Sequence, residues 1–180
     1  MLVAEQRLGF VMEPRFLRGA ALSAQGAFDE SVACLREALA GRLGAMTFRP
    51  YGFTRLAEVL ASQGQHAAVI AAVTEGLEAQ KETGAVRWEA ELHRLEGIAL
   101  IGLNRVDDGQ RALEEALHVA RRQQAKSYEL RAARSLAQLW GERGRRAEAH
   151  ELLAPIYDWF TEGFDTADLK GAKALLDELA

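Results

Sequence analysis

The chain has few of the residues that mark secreted or membrane-spanning proteins. Cys34 is the only cysteine among its 180 residues, so an internal disulfide is excluded. No run of about 18 uncharged apolar residues is present, and the opening segment, which contains the acidic Glu5, lacks the apolar run of a signal peptide. We therefore predict a soluble, cytoplasmic protein in which Cys34 is an inert buried thiol.

Histidine is also scarce, and no catalytic pattern is visible. The four histidines, at positions 66, 93, 118 and 150, include no His-x-x-x-His pair. The segment from Gly97 to Gly102 has the glycine spacing of a phosphate-binding loop, but Leu103 and Asn104 stand where Lys and Ser or Thr are required. We therefore predict a protein that is not an enzyme, with no metal site and no cofactor.

Positive charge is not in excess. The formal net charge is −4, which gives no chain-wide attraction to a polyanion. Residues 121–150 hold eight Lys or Arg against three Asp or Glu, whereas residues 151–180 hold two against seven. We expect these two segments to neutralise each other in space, and we predict neither a nucleic-acid partner nor a membrane partner.

A pattern of residues recurs four times along the chain. Gly26, Gly64, Asn104 and Gly144 are equivalent turn residues, spaced 38, 40 and 40 residues apart. Small residues lie seven positions before each turn, and large ones lie four before it. The two columns hold Gly19, Ala57, Gly97 and Ala137, and Leu22, Leu60, Leu100 and Trp140. Further columns follow at five, nine and thirteen residues after the turn. These spacings place the column residues on one face of a 3.6-residue helix. Each unit is therefore predicted to be two amphipathic helices joined by a left-handed turn residue.

The repeats divide the chain into segments of a single domain, 1–180. We predict the end of a preceding repeat over 1–10, helical hairpins over 11–45, 46–85, 86–125 and 126–162, and a capping helix over 163–180. In that last helix Asp165 and Thr166 are predicted to cap an apolar stripe. The stripe consists of Leu169, Ala172, Leu176 and Leu179. We expect Trp159 and Phe160 to hold this helix against the stack. The pattern also predicts a native C-terminal end and an N-terminal end that opens inside a repeat.

The first helices resemble the tetratricopeptide repeat. Phe53, Leu56, Ala57 and Leu60 match its spacing of an aromatic, a Leu-Ala pair and a second large residue. The period is longer than the usual 34, and the proline that normally closes a repeat is missing. The resemblance implies an all-α fold, a tetratricopeptide-like α-solenoid of antiparallel helical hairpins that forms a right-handed superhelix with a C-terminal capping helix.

A second resemblance covers nearly the whole chain. The segments 91–97, 128–133 and 152–166 are similar to the C-terminal repeat region of bacterial predicted-ATPase proteins, the longest segment being the most specific. In that family a class III adenylate or guanylate cyclase domain often precedes an AAA-type ATPase domain and then this region. The resemblance implies a regulatory or interaction segment, and neither catalytic domain is present in this chain.

The inner face of such a stack is the predicted binding surface, because first helices line the concave side. The candidate residues are Phe16, Tyr51, Thr54, Glu58, Glu91, Arg94, Arg131, Arg134 and Gln138. We expect Phe16 and Tyr51 to offer aromatic contact, and Arg94 and Arg134, one repeat apart, to hold a carboxylate or an acidic peptide. The alternative is a solvated face on which Glu91 and Arg94 pair with each other.

These features predict a protein–protein interaction scaffold or regulatory module. It would bind a peptide, a partner protein or another domain of a larger bacterial signalling protein. Two alternatives stay open. One is a small-molecule-sensing repeat domain. The other is a homo-oligomerisation module that associates through residual apolar surface, namely the unpaired N-terminal helix and the aromatic residues Tyr157, Trp159, Phe160 and Phe164. The expected oligomeric state is a monomer or a weak dimer.

Overall fold

The computed structural model describes residues 14–41 and 48–180, and this part of the chain is helical without any strand. The all-α fold class is therefore confirmed for these residues. The helices are α1 Pro14–Ala24, α2 Phe28–Ala40, α3 Arg49–Ser62, α4 His66–Thr83, α5 Glu89–Gly102, α6 Val106–Arg122, α7 Lys126–Glu142, α8 Arg146–Tyr157 and α9 Ala167–Leu179. A short 3-10 helix, Val86–Trp88, precedes α5. The helix end predicted over 1–10 lies outside the described residues.

The four predicted turn residues join the two helices of each pair in a left-handed conformation. The φ angles of Gly26, Gly64, Asn104 and Gly144 are 79°, 68°, 62° and 80°. In each turn the next residue donates its backbone N–H to a carbonyl five residues earlier, as Arg105 does to Leu100 at 2.8 Å. This bond closes the C-terminus of the first helix in a Schellman arrangement, so the local sequence fixes where each hairpin turns.

Two helices of a hairpin approach each other most closely at the small-residue column. A Cβ atom placed on Gly97 would lie 2.7 Å from Leu113 Cγ and 2.9 Å from the Gly109 carbonyl oxygen. At Gly19 the same atom would lie 2.6 Å from Leu35 Cγ, and the Ser31 hydroxyl donates to the Gly19 carbonyl at 2.7 Å. The small residues therefore set the distance between the paired helices.

The pairs stack into two layers. Helices α1, α3, α5, α7 and α9 form the inner layer, since each contacts the next, and α2, α4, α6 and α8 pack between them on the outer side. Apolar side chains between the layers form two large clusters, one over α1–α5 and one over α6–α9. Leu35, Leu92, Leu113 and Leu153 lie at their centres and are fully buried. Each hairpin thus buries its apolar faces only against its neighbours.

The final helix packs as predicted along its apolar stripe, but its start differs. Leu169, Ala172, Leu176 and Leu179 are all buried. Thr166 occupies the N-cap position, yet its hydroxyl donates to the Gly163 carbonyl at 2.7 Å rather than capping the helix. Burial of the stripe therefore holds α9 in place, and the predicted side-chain cap is wrong.

The predicted role of Trp159 is also wrong. Its side chain is 57% exposed, and it meets Phe160 edge-on with ring centroids 5.2 Å apart. Phe160 is half-buried against the core that includes α9. The reason is position: Trp159 lies past the end of α8, at the rim of the stack, where no helix covers it.

Cys34 is buried, as expected, and its thiol donates to the Arg15 carbonyl at 3.4 Å. Across the described residues, none of the helices is long and apolar enough to cross a membrane.

The substitution Gly97→Ala tests the close approach. The new Cβ would press on Leu113 and on the backbone of Gly109, so we expect a loss of about 1–3 kcal/mol in the free energy of unfolding. Urea denaturation followed by circular dichroism measures this value. Gly41→Ala is the matched control, because Gly41 is exposed with φ −68°, and it should change stability by less than about 1 kcal/mol. Equal effects of the two substitutions on the free energy of unfolding would show that the close approach of the helices at Gly97 does not limit stability.

Candidate functional site

The structure places all nine candidate residues on the inner layer, but the column ten residues before each turn is not an open face. Phe16 is fully buried, and a Cβ on Gly52 of the next inner helix would lie 2.5 Å from its ring. Thr54 is 1% exposed, and its hydroxyl donates to the Pro50 carbonyl at 2.8 Å. Arg94 and Arg134 point in the same way toward the next inner helix, at Ser135 and Gly171. The expectation that Phe16 offers aromatic contact to a ligand is therefore wrong, because this column packs between neighbouring inner helices.

Tyr51 lies in an aromatic row rather than alone in the groove. Its ring is half-buried, 6.2 Å from the ring of Phe16 and 5.8 Å from that of Trp88. Phe48 lies 6.3 Å from the same Trp88 ring. Phe48, Trp88 and Tyr128 each precede their turn residue by sixteen positions, a column that sequence reasoning missed although its spacing is regular. These rings pack at the rim where the inner helices begin.

Glu91 and Arg94 pair with each other, but the pair is buried and not part of a solvated face. Arg94 Nε and one terminal nitrogen donate to the two Glu91 carboxylate oxygens at 3.0 and 2.6 Å. The residues are 1% and 7% exposed, respectively. A third guanidinium nitrogen of Arg94 lies 3.5 Å from Ser135 Oγ. Two of the nine candidate side chains are therefore occupied by each other.

Arg131 extends this pair into a network across four consecutive inner helices. Its guanidinium lies 2.8 Å from Glu91 on α5, 3.3 Å from Glu58 on α3 and 3.9 Å from Asp168 on α9. Arg55 forms a close ion pair with Glu58. The ion-pair network, as we call these six residues, contains three guanidinium groups and three carboxylates, so its charges balance.

Two members of this network, Glu58 and Arg131, have shifted pKa values. Burial, and then the negative charge of Glu91, raise the pKa of the Glu58 carboxyl, against the opposing effect of Arg55 and Arg131. Burial alone would lower the pKa of the Arg131 guanidinium, but Glu91 and Glu58 outweigh it and raise that pKa. Burial and Glu91 also raise the pKa of the Tyr128 hydroxyl. A cavity of about 480 Å³ opens onto the network, but the compensated charges leave no net attraction for an anion.

Arg134 differs from the other inner-layer arginines. Across residues 14–41 and 48–180 its guanidinium makes neither an ion pair nor a hydrogen bond, and it is half-buried against Gly171 of α9. A Cβ on Gly171 would lie 2.2 Å from an Arg134 terminal nitrogen, so the absence of a side chain there gives the guanidinium its place. This is a desolvated cation without a carboxylate partner in the described structure.

Arg134 lies between two cavities that share lining residues. One, of about 220 Å³, lies between α5 and α7, and the other, of about 460 Å³, lies between α7, the start of α8 and α9. Arg134, Gln138 and Glu142 line both, so the two cavities adjoin along α7, and we call them together the inner groove. Its apolar lining is Ile98, Ile101, Leu113, Leu139, Leu175 and Leu179.

The polar groups of the inner groove combine donors and acceptors. The exposed Gln138 donates from its amide to the Glu142 carboxylate at 3.1 Å, which leaves the Gln138 carbonyl oxygen available. Arg146 donates to the backbone carbonyl of Glu178. Sequence reasoning missed Glu142, which is the last residue of α7, and it missed Arg146 and Gly171, because α8 and α9 approach the inner face only in the folded stack.

In the part of the chain that the structure describes, no group of three or more His, Cys, Asp or Glu side chains is placed to hold a metal ion. His93 Nδ1 lies 3.2 Å from the Glu96 carboxylate, one turn along the same helix. His93 is thus an edge side chain with a local partner.

The Glu91–Arg94 pair can be tested by two substitutions. Glu91→Leu leaves the buried Arg94 guanidinium without its carboxylate, and we expect a loss of about 3–5 kcal/mol in the free energy of unfolding. The double variant Glu91→Leu with Arg94→Leu removes both charges and should be more stable than the single variant. Urea denaturation of the single and double variants measures the coupling. If the double variant is the less stable, the pair is not a compensated buried unit.

The raised pKa of Glu58 predicts a pH dependence. The folded state holds the Glu58 proton more tightly than the unfolded chain does, so this group stabilises the fold at low pH and loses that contribution as pH rises through its folded pKa. Relative to the unsubstituted protein, Glu58→Gln should therefore gain stability as pH rises from below the unfolded pKa of the Glu58 carboxyl through its folded pKa. Urea midpoints of both proteins at each pH measure the difference.

Glu148→Gln is the control with the opposite sign. A hydrogen bond from Arg145 lowers the pKa of the exposed Glu148 carboxyl, so that group stabilises the fold above its unfolded pKa and loses the contribution as pH falls. Its variant should lose relative stability as pH rises. The same trend in both variants would contradict the assignment to Glu58.

Comparison with known proteins identifies a structure with a similar fold. No protein-family model matches the chain, and no curated protein matches it significantly. The structure is similar to a crystal structure of nearly identical TPR-like repeats of a putative kinesin light chain from Podospora anserina, with a TM-score of 0.65 and 17% sequence identity. The similarity covers 94% of this chain and 87% of that chain. At this identity the likeness concerns the fold, and the chain has the fold of tetratricopeptide-like repeats.

Proposed function

We propose that this protein binds an extended segment of another polypeptide in the inner groove, with Arg134 holding an acidic side chain of that segment. The observation that carries the proposal is the half-buried Arg134 guanidinium, which has no carboxylate partner among the described residues. A guanidinium that has already lost part of its hydration gains two parallel hydrogen bonds from a carboxylate.

The shape of the groove favours an elongated ligand. The two cavities adjoin on either side of Arg134, and together they extend from α5 across α7 to α9. Three half-buried aliphatic side chains along this path, Ile98, Ile101 and Leu175, can receive the apolar side chains of a bound segment. Stacked helical repeats characteristically use such an extended inner surface for binding.

The charges of the groove favour a polypeptide over a polyanion. Glu142 and Glu178 line the same cavity as Arg134 and Arg146, so a nucleic-acid backbone would meet two carboxylates beside the two cations. A peptide offers backbone N–H donors to the carboxylates and to the Gln138 carbonyl, and one acidic side chain to Arg134. The proposed ligand is therefore an acidic and aliphatic segment rather than a uniformly charged one.

We also propose that this repeat domain is part of a larger signalling protein. The support is the sequence resemblance of residues 152–166 and of two shorter segments to the C-terminal repeat region of bacterial predicted-ATPase proteins. Within such a protein the ligand would be a segment of a partner protein or of a cyclase or ATPase domain of the parent chain. In this proposal the repeat domain itself performs no catalysis, and the interaction takes place in the cytoplasm.

Peptide selection tests the proposal directly. The chain is used to select binders from a random library of displayed peptides of about 12 residues, and their affinities are measured by fluorescence anisotropy. We expect acidic and aliphatic peptides, and we expect Arg134→Glu to weaken their binding by about tenfold or more, since it replaces a charge-assisted pair by repulsion.

Two further variants sharpen the test. Gly171→Ala keeps all charges but displaces the Arg134 guanidinium, so it should also weaken binding. Arg36→Glu makes the same charge change on an exposed arginine of the outer layer, and it should leave the affinity unchanged. Arg94→Glu is unsuitable because it breaks the buried pair. The proposal that the inner groove binds a peptide would be refuted if the selected peptides bound Arg134→Glu and the unsubstituted chain equally, or if the selection gave no binder.

A further inference from the structure

A second surface lies at the rim where the inner helices begin and the outer helices end. Val86 and Trp88 precede or open α5, Tyr128 lies in the first turn of α7, and Trp159 and Phe164 lie between α8 and α9. We call these five residues the edge patch. The rim is opposite to the hairpin turns at Gly26, Gly64, Asn104 and Gly144, so the edge patch is separate from the inner groove.

The edge patch concentrates exposed apolar area. Val86, Trp159 and Phe164 are 54%, 57% and 46% exposed. They are three of the five exposed large hydrophobic side chains among the described residues, and the other two are Leu17 and Leu103. Single exposed apolar residues are normal on a protein surface, but a group on one edge marks an interaction site.

Contacts and a cleft connect the members of the patch. A cleft of about 830 Å³ separates the segments 85–88 and 123–128, with Trp88 and Tyr128 among its walls. Lys126, from the same cleft, places its ammonium 5.4 Å above the Trp159 ring. The Tyr157 ring in turn lies 5.8 Å from that of Phe164. Lys126 therefore joins the cleft to Trp159, and Phe164 packs on the last residue of α8.

Charges of opposite sign lie at the two ends of this surface. Arg87 is exposed at the cleft and makes no ion pair within residues 14–41 and 48–180, whereas Lys126, which lines the same cleft, pairs with the Glu129 carboxylate at 2.7 Å. Asp158, Glu162 and Asp165 flank Trp159 and Phe164 at the other end, are exposed, and form no ion pair in the described structure. A copy of the same surface turned by 180° would bring each basic end against an acidic end.

We infer that the edge patch binds the edge patch of a second copy of this chain, in a two-fold dimer. A surface with apolar residues at its centre and opposite charges at its ends is complementary to itself under two-fold rotation. Trp159 is placed to enter the recess between segments 85–88 and 123–128 of the second copy, or to stack on its Trp159, and large aromatic side chains dominate the affinity of such interfaces. The small patch predicts a weak dimer.

Sedimentation equilibrium of the 180-residue chain between about 10 μM and about 1 mM tests the inference. We expect the average mass to rise with concentration from the monomer mass of 19.8 kDa toward twice that mass. Trp159→Ser should increase the dissociation constant about tenfold or more. Because Trp159 is more than half exposed, this variant should fold normally, which circular dichroism checks.

Two controls separate this surface from general stickiness. Leu103→Ser removes an exposed apolar side chain from the opposite rim and should leave the dissociation constant unchanged. Arg87→Glu should weaken the dimer, and the double variant Arg87→Glu with Glu162→Arg should restore it, since the two ends then exchange charges. Neither change touches the inner groove, so peptide binding is a separate readout.

Three results would overturn the inference. These are a monomer at every concentration, an equal effect of Leu103→Ser and Trp159→Ser, and a double variant that dimerises no better than Arg87→Glu. A monomeric chain that still binds selected peptides would remove the dimer and leave the proposed function in place.

Discussion

The close approach of paired helices is the constraint on which the rest of the structure depends. At the third hairpin two glycines face each other, and a single Cβ on Gly97 would reach the backbone of Gly109. This distance determines how far the apolar side chains of one pair extend into the next. Since no pair can bury its apolar faces alone, the spacing inside one hairpin is carried through the whole stack.

The inner layer combines this tight packing with a buried charge network. Where the column between neighbouring inner helices holds Phe16 or Thr54, the side chain is buried in the core. Where it holds Arg94, burial requires the Glu91 carboxylate, and Arg131 then links that pair to Glu58 and Asp168. The network neutralises itself, so this half of the inner face holds the helices in register and offers little to a ligand.

The last repeat breaks this pattern, and its exception creates the candidate site. Arg134 occupies the column of Arg94, but its neighbour on α9 is Gly171, and no described carboxylate compensates it. The helix that covers the end of the core thus also forms one wall of the inner groove. At the rim, the connection between α8 and α9 leaves Trp159 and Phe164 without a covering helix. Both proposed surfaces therefore include residues of the last repeat and of the final helix or the connection before it.

Local features of the structure follow directly from the amino-acid sequence. The left-handed turn at Asn104, the small column, the buried Cys34 and the apolar stripe of α9 all result from the identity and spacing of residues within about one helical turn or one hairpin. The availability of the inner-layer side chains, in contrast, depends on the packed fold. Phe16 is buried, Arg94 is paired and Arg134 is not, because these outcomes depend on residues of the next inner helix. Arg131 and Glu58 are 73 positions apart, and Gly171 meets Arg134 only after α9 has packed. A periodic pattern specifies the face of a helix on which a residue lies, but burial and charge compensation are set by neighbours that the chain brings together from distant positions.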